Sequence, residues 1–135
     1  MPMHIKVDSD VDKPGYFTVT PFGSIDSDTY VDFSDKIKPL LTPHAKSIVL
    51  DLANVDYISS AGLGVLFTMK KHLKKNGGDL LFCNLKPQIQ RLFEIVNALP
   101  RETLFKNVEE ADAYLYRMMN QQIEKEGGQK STGSG

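Results

Sequence analysis

Two adjacent hydroxyls, Ser59 and Ser60, sit in Asp56-Tyr57-Ile58-Ser59-Ser60-Ala61-Gly62-Leu63-Gly64, between the apolar run Ile48-Val49-Leu50-Asp51-Leu52 and a helical pattern that begins near Leu63. A small hydroxyl at a strand-to-helix junction can do two things. It can cap the helix by accepting a backbone N–H, or it can carry a phosphate. The first-turn N–H groups have no intrahelical partner and the macrodipole adds partial positive charge there, so an anion is accommodated without unfolding the domain. Both readings are open for either serine.

Other chemistries fail at a required residue. A hydrolase nucleophile elbow, Gly-x-Ser-x-Gly, needs glycine two positions before the serine, and for Ser60 that position is Ile58. His4 in an edge strand, His44 after a proline and His72 among lysines read as isolated exposed histidines, not as a general base. Asp8-Ser9-Asp10-Val11-Asp12 imitates the start of a calcium loop, but Lys13 stands at the turn glycine and Val19 at the bidentate glutamate. Gly62-Leu63-Gly64 lacks the third glycine of a dinucleotide fingerprint, Phe67 standing there, and no Gly-Lys-Ser/Thr follows. No catalytic group, metal or cofactor is therefore expected.

The elements that hold the serines are legible from periodicity. His4-Ile5-Lys6-Val7 and Tyr16-Phe17-Thr18-Val19-Thr20 alternate and read as a paired ribbon at the sheet edge, where Pro21 is tolerated. Tyr30, Phe33, Ile37, Leu40 and Leu41 recur at helical spacing after the capping cluster Ser24-Ile25-Asp26-Ser27-Asp28, and Pro43 ends that helix. Ser47–Leu52 and Asp79–Cys83 are continuous apolar runs, as expected of strands covered on both faces. Between them a helix turns Leu63, Leu66, Met69 and Leu73 inward and Lys70, Lys71, Lys74 and Lys75 to solvent, stopping at Asn76-Gly77-Gly78. The lysines read as a solvated face or as a patch steering an acidic partner. A third helix opens at Pro87 with Ile89, Leu92, Phe93 and Val96 as its stripe. A short strand at Leu104-Phe105 and a fourth helix with Val108, Ala111, Leu115 and Met118, capped by Asn107, complete the pattern, Met118-Met119 reading as core and margin. Alternating strands and helices predict an α/β fold: a mixed, mainly parallel sheet of four to five strands with about four helices.

A chain of 135 residues with 41% hydrophobic residues fits one domain over residues 1–125, and the Gly/Ser-rich residues 126–135 read as a flexible tail. A net charge of −1 advertises neither nucleic acid nor an anionic membrane surface. The absence of a spanning run or secretory leader and the lone Cys83 fit a cytoplasmic protein.

The stretch Ile48 to Leu66 resembles the signature of STAS domains, specifically the bacterial anti-sigma-factor antagonists. Gly23-Ser24-Ile25-Asp26, Gly77-Gly78-Asp79-Leu80 and Ile89-Gln90-Arg91-Leu92-Phe93 are similar to the family's flanking segments in the same order, and the likeness covers residues 4–119. The resemblance implies a phosphorylation-controlled binding switch that is not an enzyme. Phosphate would go to Ser60, two residues before the first glycine of Gly-Leu-Gly, with Ser59 as second choice. Many members carry Asp immediately before that serine, where this chain has Ser59.

The implied partners are an anti-sigma factor that is itself a serine/threonine kinase and a PP2C-type phosphatase, with neither nucleic acid nor membrane involved. The unphosphorylated form would bind the anti-sigma factor and free a sigma factor, and the phosphorylated form would let go. Asp26, Ser59, Ala61, Gly62, Leu63 and Gly64 are the expected partner contacts, Asp26 being equally a helix cap and the glycines allowing close backbone approach. A constitutive scaffold or transporter-associated module and a weak nucleotide binder are the alternatives. An exposed edge strand is compatible with a monomer or a weak homodimer.

Overall fold

The sheet begins with β1 (His4–Ser9) and β2 (Tyr16–Phe22), which pair antiparallel from His4 opposite Phe22 to Ser9 opposite Phe17. The structure, a computed structural model, describes residues 3–9, 11–96 and 104–118. Met119, the tail 126–135, Asp10 and the Val96 side chain lie outside the described residues. β3 (Ser47–Asp51), β4 (Asp79–Cys83) and β5 (Leu104–Phe105) then add in parallel, giving the order β1-β2-β3-β4-β5. Pro21 does not interrupt a ladder. The β2–β3 pairing ends at Val19, and Pro21 faces only Ile5 of the edge strand.

Both faces of β3 and β4 are covered, as their continuous apolar runs predict. Ile48, Leu50, Leu80 and Phe82 point into the main core beneath α1 (Tyr30–Ile37), α2 (Ser60–Lys75) and α3 (Pro87–Val96). Val49, Leu81 and Cys83 point the other way, under Ala111 of the helix over 108–118, α4. Burial pushes the Cys83 thiol up to about 12, with Asp51, Asp112 and Glu109 adding to the shift. It is a small apolar residue at neutral pH. α1 is shorter than its apolar spacing suggested, because Pro39 allows only a 3₁₀ turn over Lys38–Leu40.

α2 buries Leu63, Leu66, Met69 and Leu73, the predicted stripe, but starts at Ser60 rather than near Leu63. Its end is a Schellman motif: Gly78 N–H donates to Leu73 O at 2.8 Å and Gly77 N–H to Lys74 O at 3.0 Å, with Gly77 at φ 85°. Two further expectations on this helix are corrected. Lys70 is not solvated; it is 13% exposed and bonded to Asp79 at 2.8 Å, with Lys74 3.5 Å from the other oxygen of the same carboxylate. A buried ammonium requires such a partner. His72 is not isolated either, since its Nε2 lies 2.9 Å from Thr42 O, beside Asn76 Nδ2 donating to Thr42 O and Ala45 O. α3 sends Phe93 edge-on to Phe82, ring centroids 5.1 Å apart. In α4 the Asn107 side chain accepts from Glu110 N–H at 2.9 Å, the expected cap, whereas Met118 is 45% exposed and lies beyond the buried stripe.

Candidate functional site

The junction between β3 and α2 is built on three buried apolar residues, Leu52, Val55 and Ile58. Burying each one stabilises the loop by about 1.5–3 kcal/mol, which fixes residues 52–58 against the core. Backbone bonds finish the path: Leu52 N–H donates to Cys83 O, Val55 N–H to Leu52 O, and Ala53 N–H to the Asp51 carboxylate at 3.0 Å. From the other side, Ile25 forms a parallel bridge with Ile58. Ile25 N–H donates to Tyr57 O and Ser59 N–H to Ile25 O, both at 2.9 Å. Lys86 pairs with Asp56, and Gln88 Nε2 donates to Asp56 O at 3.3 Å, so the start of α3 braces the same loop.

On this frame the two serines differ. Ser59 is the N-cap of α2, in extended conformation (φ −81°, ψ 173°), and its Oγ accepts from Gly62 N–H at 3.2 Å while its carbonyl accepts from Leu63 N–H at 2.8 Å. Ser60 is the first helical residue, exposed, and its hydroxyl makes no hydrogen bond among the described residues. The Ser60 and Ala61 N–H groups are likewise without partners there, as first-turn amides of a helix are. A free hydroxyl stands beside open amides at the positive end of a sixteen-residue helix.

The other expected contact residues separate into two groups. Gly64 is exposed with open space where a side chain would project, and Ala61 is half-buried beside it. Gly62 and Leu63 lie inside. A Cβ on Gly62 would come within 2.4 Å of Ile25 O, so this glycine serves the close approach of the chain's own backbone, and Leu63 is 7% exposed. Asp26 follows Ile25 and closes the turn that leads into α1, whose own N-cap is Thr29 rather than the expected Asp26: its Oδ1 accepts from Asp28 N–H at 2.9 Å and Thr29 N–H at 3.2 Å, and Thr29 Oγ1 accepts from Asp26 N–H. Asp26 remains half-exposed beside the serine loop.

Tyr57 was not among the expected contacts. It stands 56% exposed two residues before the cap, its carbonyl held by Ile25 while the ring faces solvent. An exposed aromatic between buried Val55 and Ile58 breaks the loop's inward pattern, and that was the available signal. Lys86 and Gln88 carry no such signal, because their role depends on a tertiary contact 30 or more residues away in sequence. Asp8 and Ser9 of the apparent calcium loop continue β1 as strand.

The STAS domain family model matches residues 8–111. BtrV of Bordetella bronchiseptica, whose name assigns it to the anti-sigma factor antagonists, is 48% identical over 50 residues, which is 37% of this chain and 43% of BtrV. The chain thus spans less than half of that relative's length in the match. The anti-sigma-B factor antagonist of Staphylococcus aureus is 30% identical over 80 residues, 59% of this chain and 74% of that protein. Among solved structures, the anti-sigma factor antagonist SpoIIAA in its unphosphorylated form superposes with a TM-score of 0.65 at 16% identity, over 84% of this chain and 98% of its own. Its phosphorylated form, from Bacillus, gives the same score and identity over 83% and 99%. With the family model covering most of the chain and the five-stranded sheet agreeing in fold, the chain belongs to the STAS domain family, on its anti-sigma-factor antagonist branch.

Proposed function

We propose that the chain is a binding switch: unphosphorylated, it docks on an anti-sigma factor with serine kinase activity and so frees a sigma factor, and phosphate on Ser60 ends the complex. The observation that carries this reading is the difference between the two serines. The Ser59 hydroxyl is engaged in the cap, and the Ser60 hydroxyl is exposed and unbonded among the described residues. A phosphoryl group brings about −1.5 to −2 charges at neutral pH, so an interface that covers neutral Ser60 would have to desolvate a phosphate. Exposed Tyr57 and the open surface at Gly64 supply the aromatic anchor and close backbone approach that such an interface uses. A PP2C-type phosphatase would restore the binding form. The named relatives, an anti-sigma-B factor antagonist among them, support the choice of partner.

The test is phosphorylation, with ATP, by an anti-sigma factor kinase from the same organism that binds this chain, followed by site mapping in a mass spectrometer. Phosphate is expected on Ser60 alone, with Ser60→Ala still binding the kinase and no longer released by ATP. Phosphate on Ser59, or none on either serine, overturns the assignment.

A further inference from the structure

β1 ends the sheet, and among the described residues no strand pairs with its outer edge. Such an edge presents a row of unpaired N–H and C=O groups and readily accepts another strand. The opposite outer strand, β5, is two residues long and offers little template, whereas β1 runs for six. Its start is also held in place. Met3 N–H donates to Asp32 Oδ2 at 2.6 Å, and the Lys36 ammonium bridges Met3 O and the same carboxylate, tying the strand to α1.

The side chains along this edge are self-complementary. Val7, opposite Val19 and on the helix-covered face, is 43% exposed. Lys6 and Asp8, opposite Thr20 and Thr18, share the other face with side chains 63% and 58% exposed and an Nζ–Oδ2 separation of 3.7 Å. Edge charges ordinarily resist strand addition. Here the two signs lie two residues apart, so one register neutralises them. An antiparallel pairing about a two-fold axis at Val7 sets Val7 against its twin, each Lys6 against the other chain's Asp8, and Ile5 against Ser9. Moving the axis to Lys6 sets lysine against lysine, and moving it to Asp8 sets aspartate against aspartate. Placing it between residues sets Val7 against a charge. Like charges directly opposite are destabilising and unlike charges stabilising, so the Val7 register is selected.

We infer that a second copy of this chain adds along β1, antiparallel about a two-fold axis at Val7, joining two five-stranded sheets into one. None of the junction residues lies on this edge, so self-association leaves the serine loop uncovered. The contact is small, one strand edge and one valine pair, and the association is therefore weak and concentration-dependent.

Sedimentation of the full chain over a wide concentration range, at low salt, tests it alongside Lys6→Asp, Asp8→Lys and the double exchange. Both substituted positions are exposed, and far-UV circular dichroism checks that each protein is folded. The native chain is expected to dimerise, with amide exchange slowed along β1 as concentration rises. Each single reversal turns two attractive cross-strand pairs into two repulsive ones and weakens the dimer at least about tenfold, while the double exchange restores it. A native chain that stays monomeric with no added protection at β1, a dimer that survives Lys6→Asp, or a double exchange that fails to rescue overturns the inference.

Discussion

Ser59 and Ser60 are chemically identical neighbours whose different environments follow from one peptide unit of displacement along α2. Ser59 lies outside the helix, where its Oγ reaches back to Gly62 N–H, and Ser60 lies inside, where its side chain points to water. Replacing Ser59 by Ala should lower stability by about 1 kcal/mol through loss of the cap, measured as a fall in urea midpoint at constant slope. Gly62→Ala should cost more, roughly 1–3 kcal/mol, because the new methyl meets Ile25 O at 2.4 Å, whereas Gly64→Ala, with open space around it, should be neutral or stabilising. This is also where reading the residues alone stopped short. The spacing of Leu63, Leu66, Met69 and Leu73 locates the stripe but not the first turn, since Ser60, Ala61 and Gly62 carry no large apolar group. Gly62 reads like a surface glycine because the backbone it accommodates lies 37 residues earlier, at Ile25, and a contact that distant leaves no local pattern.

At the scale of elements, the strands and helices were legible because each buries a regular set of positions; the corrections beyond element ends and the exposed Met118 concern polar groups that cross between elements. Lys70 looks solvated from its neighbours, yet the turn through Gly77 and Gly78 brings Asp79 back beside it. His72 and Asn76 likewise satisfy carbonyls of the loop at Thr42 and Ala45, contacts invisible to helical periodicity. That turn is tightly constrained. A Cβ at Gly78 would fall 1.4 Å from Lys46 O, inside bonding distance of the residue that leads into β3. Gly78→Ala should therefore destabilise by about 3 kcal/mol or more, while Gly77→Asn, which keeps a left-handed conformation accessible, should cost about 1 kcal/mol. Thermal melts of the pair check the ordering. Equal losses would mean that the Schellman geometry, not the approach to Lys46, governs the turn.

Across the whole molecule, the core and the serine loop are separable. Leu52, Val55 and Ile58 anchor the loop from below, α3 braces it through Asp56, and Ser60 sits on the outside with its hydroxyl and the two first-turn amides open. A negative charge at that point interacts favourably with the helix N-terminus, typically by 0.3–1 kcal/mol, and removes no bond from the core. A switch works only if its charged state remains folded, and the position of Ser60 meets that requirement on physical grounds independent of the identity of any partner. Ser60→Asp should therefore melt at the same temperature as the native chain or slightly above it, the difference shrinking in high salt as screening weakens the dipole interaction. The same substitution should weaken docking on the anti-sigma factor kinase by tenfold or more, since an exposed charge has become one that must be desolvated. Calorimetry and a binding titration on one protein sample separate the two effects. A Ser60→Asp protein that loses affinity only in proportion to a fallen melting temperature would show that the charge acts by unfolding the loop, and the separation of stability from binding would fail.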